Sequence, residues 1–174
     1  MSNIVWFTGL SGTGKSTLSL LLKKELKKKN YKCLLVDGDI FRKKTNQNSF
    51  LKKNIIKNNL KIISFCEKNK IKYDFILVSV ISPFKKTRLF AQKLFNDSYY
   101  EIRTFSSLKV LEKRDVKGLY KLAKLGKLKN LIGYKSKIKY ETSKHKYLRI
   151  NTGKLDKKES IKRILKYLKL CFQK

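Results

Sequence analysis

The chain is short of acidic residues: 12 Asp and Glu stand against 44 Lys and Arg, which gives its 174 residues a formal net charge of +32. Such an excess often accompanies nucleic-acid binding. Only six of the basic residues are arginine, however, and the lysines are spread through nearly every predicted helix. We therefore interpret the charge as a compositional bias toward lysine on solvated faces, and expect no specific nucleic-acid partner. Non-specific attraction to polyanions at low salt would still follow.

Cysteine and long apolar runs are also scarce. Cys33, Cys66 and Cys171 are odd in number and widely spaced, which argues against a disulfide framework and against a zinc site. No apolar run approaches the about 20 residues of a membrane-spanning helix, and the apolar N-terminal stretch leads into a glycine-rich loop rather than a signal-peptide cleavage site. We expect a cytoplasmic protein with no membrane partner, built as one domain over residues 1–174.

What the sequence does contain is a phosphate-binding loop. Residues 9–17 read GLSGTGKST and match the pattern G-x-x-x-x-G-K-[ST] at every fixed position. The apolar run 4–7 before it predicts a buried strand, and Leu18, Leu21 and Leu22 after it begin a helical apolar stripe. In this context, backbone N–H groups and a helix N-terminus would hold phosphates. The sequence thus predicts a nucleoside triphosphate site, with a chance glycine loop as the alternative.

Strand-like and helix-like segments alternate along the chain. Strands are predicted at residues 4–7, 33–36, 75–81, 99–105 and 147–150, with helices between them and a final amphipathic helix over residues 157–172. Residues 40–48 are predicted as a polar loop, and the Lys- and Leu-rich stretch of about 108–140 as a helical lid with breaks at Gly118 and Gly126. The pattern predicts an α/β fold, a three-layer P-loop kinase with a five-stranded parallel sheet and helices on both faces.

Acidic residues follow the second predicted strand, at Asp37 and Asp39. The carboxyl ends of parallel strands face the ligand crevice of such a sheet, so these carboxylates are predicted to lie near the ligand. The alternative is a plain turn built on the Asp-Gly step.

Several stretches together resemble the adenylyl-sulfate kinases, which phosphorylate the 3′-hydroxyl of adenosine 5′-phosphosulfate (APS). They are the phosphate loop, the Asp37-Gly38-Asp39 run with Arg42, the Ile81-Ser82-Pro83-Phe84 run with Arg88, and the run RDVKGLYKLA over residues 114–123. The last is the most specific to the family. The resemblance implies an ATP-dependent kinase that converts APS and ATP into 3′-phosphoadenosine 5′-phosphosulfate (PAPS) and ADP, with Mg²⁺ as cofactor.

The resemblance also implies roles for individual residues. Lys15, Asp39 and Ser82 would be catalytic, and Ser16 would bind Mg²⁺. The residues implied to bind ATP are Gly9, Leu10, Ser11, Gly12, Thr13, Gly14, Lys15, Ser16, Thr17, Arg114 and Thr152. Those implied to bind the acceptor are Asp37, Asp39, Arg42, Phe50, Asn58, Ile81, Ser82, Arg88, Lys117, Asn130 and Leu131.

Three of these roles have plainer alternatives. Ser82 would be either a phosphorylated intermediate or, as we favour, a loop serine that contacts the substrate, since direct in-line transfer needs no covalent step. Phe50 would either pack on the substrate base or belong to the core. Thr152 would either lie at the ATP adenine or form part of a polar turn.

Two departures from the family pattern fall on the acceptor side. Ile55 stands where a substrate-binding arginine is usual, and Leu131 stands where an aromatic residue stacks on the substrate adenine. A related nucleotide 3′-kinase, acting on another nucleotide anhydride such as a cytidine diphosphoramidate used in surface-polysaccharide decoration, is therefore the alternative function. Small nucleotides are the expected partners, and a homodimer is an assembly that the resemblance allows.

Overall fold

Five parallel strands form the centre of the protein. The computed structural model describes residues 1–44, 51–134, 136–143 and 145–169. The strands are β1 (Asn3–Thr8), β2 (Cys33–Asp37), β3 (Phe75–Ser79), β4 (Tyr99–Phe105) and β5 (Leu148–Asn151). They lie in the order β2-β3-β1-β4-β5, and each neighbouring pair is parallel. The predicted five-stranded parallel sheet is confirmed.

The central strands are apolar on both faces because helices cover both faces. Ile4, Val5, Trp6 and Phe7 of β1 have no exposed surface, as expected for a strand inside a parallel sheet. Alternate side chains of β1 enter two different clusters, Val5 and Phe7 on one face and Ile4 and Trp6 on the other. The sheet is thus the middle layer of three.

The helices divide between the two faces. Helices α1 (Lys15–Lys27) and α7 (Lys157–Lys169) contribute Leu22 and Ile164 to the first cluster. Helices α3 (Lys52–Asn69) and α4 (Lys85–Phe95) contribute Ile62 and Ala91 to the second. The prediction of helices on both faces of the sheet, with the last helix packed on it, is therefore confirmed, and the structure adds which face each helix covers.

Residues 38–44 are helical, which corrects the predicted polar loop over residues 40–48. Helix α2 (Gly38–Lys44) begins directly after β2. The Asp37 carboxylate accepts the N–H groups of Asp39 at 2.9 Å and Ile40 at 3.3 Å, which satisfies backbone donors that the first turn leaves free. The segment is too short to show an apolar stripe. The capping residue Asp37 was therefore the sequence feature that could have indicated a helix here. Residues 45–50 lie outside the described part of the chain.

The segment predicted as a lid, which we continue to call the lid, carries two short helices and a core of its own. Helices α5 (Leu108–Arg114) and α6 (Leu119–Lys124) pack around Leu111, Tyr120, Ala123 and Leu131. Gly118 N-caps α6, so the predicted helix break there is confirmed. Among the residues described, no helix is long and apolar enough to cross a membrane.

Candidate active site

The phosphate loop joins β1 to α1 and turns at three glycines. Gly9, Gly12 and Gly14 have φ values of 145°, 74° and 85°. A Cβ at Gly9 would lie 2.2 Å from the Thr104 carbonyl oxygen, so the loop approaches β4 more closely than a side chain would allow. Gly14 then caps α1, whose N-terminus favours anions. The loop has the shape of a phosphate site.

Lys15 lies inside the loop, where its amine donates to the Leu10 carbonyl at 2.7 Å. Burial lowers the pKa of Lys15 to about 8, an effect that the Asp39 carboxylate opposes and the Lys117 cation reinforces. The pKa falls because the buried amine is poorly solvated, which disfavours its charged ammonium form. A phosphate would replace the water that burial removes, so this position suits a cation that contacts the ligand.

Ser16 and Asp37 form an oxygen pair beside the loop. The Ser16 hydroxyl donates to the Asp37 carboxylate at 2.6 Å. Hydroxyl and carboxylate oxygens are ligands that Mg²⁺ prefers, and Mg²⁺ usually keeps several waters and substrate phosphates as its remaining ligands. Within the described residues no group of three or more His, Cys, Asp and Glu side chains could form an all-protein cage. The pair fits a magnesium ion shared with a nucleotide, and it places Asp37 closer to the metal role than to the predicted acceptor role.

Asp39 lies between two cations. One carboxylate oxygen accepts from the Arg42 guanidinium at 2.9 Å, and the other forms an ion pair with the Lys117 amine of the lid. Burial alone would raise the pKa of Asp39, but the hydrogen bond and charge of Lys117, with Arg42 and Lys15, hold that pKa below its usual value. The carboxylate is therefore ionised at neutral pH. The structure brings together the predicted Lys15, Asp39, Arg42 and Lys117.

Arg114 and Thr152 form a second link between lid and loop. The Arg114 guanidinium donates to the Thr152 hydroxyl at 3.1 Å and also to the Thr152 carbonyl. The same Thr152 hydroxyl lies 3.1 Å from the Thr13 carbonyl of the phosphate loop. These two predicted ATP residues are thus adjacent, at the end of the loop opposite Asp39.

A cavity of about 850 Å³ runs along the phosphate loop. It extends from Asp39 and the end of β3 to Thr152 and the first turn of α7. The predicted site residues that line it are Ser11, Gly12, Gly14, Lys15, Ser16, Thr17, Asp39, Ile81, Arg114, Lys117 and Thr152. A volume of this size accommodates a nucleotide, since small-molecule sites usually measure about 300–1,000 Å³.

The cavity also has a wall that motif reasoning missed. Leu155, Lys157 and Ser160 line it from the loop after β5 and the start of α7. These residues belong to no sequence motif. Their place in the chain could have indicated them, because segments that follow the carboxyl end of a parallel strand border the ligand crevice.

Arg88 and Ser82 occupy a buried network instead of the cavity wall. Arg88 is fully buried, pairs with Glu101 at 3.3 Å, and donates to the carbonyls of Ser82 and Glu141. The Ser82 hydroxyl is also buried and lies 3.1 Å from the hydroxyl of Thr87. Both residues therefore hold the loop after β3 in place, which differs from the predicted direct contact with the acceptor.

The two departures on the acceptor side are filled by apolar packing. Ile55 packs with Phe84 and Ile132, while Leu131 joins the lid core. The remaining predicted acceptor residues are dispersed: Asn58 is buried, Asn130 is exposed, and Phe50 lies outside the described residues. The carbonyl oxygen of the Asn58 side chain is buried without a hydrogen-bond partner in the described structure, and Asn58 does not line the cavity.

The fold and site define a P-loop kinase. The family model for adenylylsulphate kinase matches residues 1–151, and the chain belongs to that family. An adenylyl-sulfate kinase of Bacteroides thetaiotaomicron is 36% identical over 169 residues, covering 94% of this chain and 82% of the relative. One from Oceanobacillus iheyensis is 37% identical over 170 residues, covering 97% of this chain and 84% of the relative.

A solved structure agrees with these sequence relatives. The APS kinase CysC of Mycobacterium tuberculosis, in complex with AMPPNP and APS, superposes with a TM-score of 0.87 at 28% identity. The match covers 97% of this chain and 98% of that one. The predicted family and fold are confirmed.

Proposed function

We propose that the chain transfers the γ-phosphate of ATP to the 3′-hydroxyl of APS, giving PAPS and ADP. The observation that carries this proposal is the placement of Asp39 and the lid cation Lys117 on the same cavity as Lys15 and the phosphate loop. One cavity can thereby hold a triphosphate and place a hydroxyl beside a carboxylate. Phosphoryl transfer depends mainly on such positioning and on neutralisation of charge.

On the ATP side, the loop N–H groups and Lys15 would bind the phosphates. Ser16 and Asp37 would hold Mg²⁺, which supplies charge neutralisation at the transferring phosphoryl group when it is bound. Arg114 and Thr152 would contact the end of the nucleotide that is remote from the γ-phosphate. Because Lys15 is held inside the loop by a carbonyl contact, its amine needs only a short movement to reach a phosphate oxygen.

On the acceptor side, Asp39 would accept a hydrogen bond from the attacking hydroxyl. Its lowered pKa makes it a weak base, so its main task is to orient the hydroxyl and to take the proton late. A loose transition state requires little deprotonation before the P–O bond breaks, which suits such a carboxylate. Lys117 and Arg42 would then balance the charge of Asp39 and of the anionic acceptor.

The acceptor is the part of the reaction for which a rival exists. Ile55 and Leu131 lack the guanidinium and the aromatic ring that the family pattern would supply, and the structure packs both into apolar clusters. A nucleotide anhydride with a different base, such as a cytidine diphosphoramidate, is therefore the second candidate.

A coupled ADP-release assay with ATP and a panel of acceptors tests both candidates. We expect APS to give the highest kcat/KM and a product phosphorylated at the 3′-position, identified by mass spectrometry and phosphorus NMR. A higher kcat/KM for the cytidine anhydride would favour the rival. ADP release that does not depend on any acceptor would contradict both.

A cytoplasmic location and a homodimer remain predictions, to be tested by cell fractionation and by light scattering.

A further inference from the structure

Tyr120 reaches from the lid to the backbone of the phosphate loop. It lies in the first turn of α6, only 2% exposed, and its hydroxyl donates to the Ser11 carbonyl at 2.9 Å. The Asp115 carboxylate accepts the backbone N–H groups of Tyr120 at 3.0 Å and Lys121 at 2.8 Å, which fixes the start of α6. The backbone that carries the Tyr120 ring is therefore held in place by hydrogen bonds to Asp115.

The ring also covers the outer side of Gly12. A Cβ built on Gly12 would lie 3.7 Å from Leu111 Cδ2 and 3.8 Å from Tyr120 Cε2, while Ser11 and Gly12 both line the cavity. Leu111 and Tyr120 do not line the cavity, unlike the lid residues Arg114 and Lys117, so the Tyr120 ring and the cavity contact different parts of this stretch of the loop.

The peptide bond between Ser11 and Gly12 links these two parts. In a trans peptide the C=O and N–H bonds point in opposite directions. A donor that holds the Ser11 carbonyl toward the lid consequently directs the Gly12 N–H away from the lid. This is the orientation in which a phosphate loop binds its ligand, because phosphates are held by inward N–H groups.

The hydroxyl of Tyr120 remains a donor over the whole working pH range. Burial, with the nearby carboxylates of Asp115 and Glu112, raises the pKa of Tyr120 to about 12. The hydrogen bond to Ser11 is therefore not lost by ionisation of the phenol at neutral or mildly alkaline pH.

We propose that Tyr120 is a positioning residue for ATP, whose hydroxyl holds the Ser11–Gly12 peptide with its N–H directed at the phosphates. This inference rests on the ATP site proposed above. It assigns the residue a task beyond lid packing, since the ring alone would suffice for the packing. Tyr120 would not touch the nucleotide; it would act through the loop backbone.

The test compares Tyr120→Phe with a neighbouring tyrosine. Phenylalanine keeps the ring and removes only the hydroxyl. Tyr134→Phe is the matched control. The Tyr134 ring packs edge-on against that of Tyr120, with 5.3 Å between the ring centroids, while its own hydroxyl interacts with the Glu112 carboxylate, which raises the pKa of Tyr134. Affinities for ATP and for adenosine are measured by calorimetry or competition, and the KM for APS by the ADP-release assay.

We expect Tyr120→Phe to weaken ATP binding about 3- to 10-fold, the range that one neutral hydrogen bond provides. Adenosine has no phosphates, so its affinity should stay within error of wild type, as should the KM for APS. Tyr134→Phe should change none of the three. The ratio of ATP to adenosine affinity is unaffected by any fraction of unfolded protein, so it remains valid if a variant loses stability.

Equal ATP affinity in Tyr120→Phe and wild type would overturn the positioning role. Parallel losses for ATP and adenosine would also overturn it, because they would mean that the hydroxyl only supports the lid. If wild-type protein bound no ATP, the proposed function itself would fall together with this inference.

Discussion

Lys117, in the lid, forms an ion pair with Asp39, which follows β2 on the other side of the cavity. Both residues line the cavity, at the end where the acceptor hydroxyl is proposed to lie. Because Asp39 also pairs with Arg42 at 2.9 Å, each of its two carboxylate oxygens is held by a cation. Lid position and the charge state of the carboxylate are thereby coupled.

Removal of the lid cation should shift the pH profile. Lys117 favours the charged form of Asp39, so Lys117→Met should raise the pKa of that carboxyl. If ionised Asp39 is required, the acid limb of kcat/KM should move to higher pH, and kcat should fall at least about 10-fold. Lys121→Met, at an exposed lysine of α6, the helix that follows Lys117 in the chain, is the control and should leave the profile unchanged. If the acid limb of the Lys117→Met variant did not move, Lys117 would have no influence on the ionisation that the reaction requires.

Asp39→Asn should separate chemistry from nucleotide binding. The amide keeps the shape of the side chain but can neither accept a proton nor carry charge, so kcat should fall about 100-fold or more. ATP affinity should change little, since the phosphate loop is intact. Asp37→Asn is the comparison: it weakens the oxygen pair with Ser16, so it should raise the Mg²⁺ concentration needed for half-maximal activity. If Asp39→Asn changed only ATP affinity, Asp39 would belong to the metal shell.

Lys15 should take up a proton when ATP binds at alkaline pH. Its pKa of about 8 in the free protein means that it is mostly neutral at pH 9, whereas a bound polyphosphate favours the ammonium form. Calorimetry at about pH 9 in two buffers of different ionisation enthalpy should give an uptake near one proton, and the uptake should fall toward pH 7. Lys15→Ala should stay folded, lose nearly all transfer, and show no such uptake. If Lys15→Ala took up as many protons as the wild type, a group other than Lys15 would be the one that is protonated.

The sequence was sufficient for features that depend on local pattern. The phosphate loop, the alternation of strands with helices, and the two carboxylates after the second strand all follow from short-range spacing. The structure agrees with each, with Asp37 ending β2 and Asp39 in the first turn of α2. Contacts between distant segments were not accessible in this way. The pairing of Arg88 with Glu101 joins α4 to β4, and nothing in either local sequence marks the arginine as buried. Arg88 was therefore assigned to the substrate by family resemblance, although its partners are protein groups.

Glu101 should be essential to stability because it is the carboxylate paired with buried Arg88. Its oxygens also lie 2.8 Å from the Ser143 hydroxyl and 3.0 Å from His145. Glu101→Gln should lower the free energy of unfolding by about 3–5 kcal/mol, since it leaves a buried cation without its charge partner. Urea denaturation measures the loss. Glu159→Gln, which breaks the exposed pair with Arg163, should cost less than about 1 kcal/mol. Equal costs would show that burial of the pair is unimportant.

Ile55→Arg tests whether the missing guanidinium can be restored. Family resemblance alone would predict that the arginine tightens APS binding, since a charge-assisted hydrogen bond is worth about 1.5–3 kcal/mol. The structure predicts otherwise, because Ile55 is only 8% exposed and packs in the cluster with Phe84 and Ile132.

An arginine at residue 55 would have to displace that cluster or bury its charge. We expect a loss of at least about 2 kcal/mol in the free energy of unfolding, by urea denaturation, and no decrease in the KM for APS. Lys53→Arg places a guanidinium on an exposed position of the same helix and should change neither quantity. A stable Ile55→Arg variant with a lower KM for APS would show that the cluster opens to admit the side chain, and that the apolar packing around Ile55 does not limit the acceptor site.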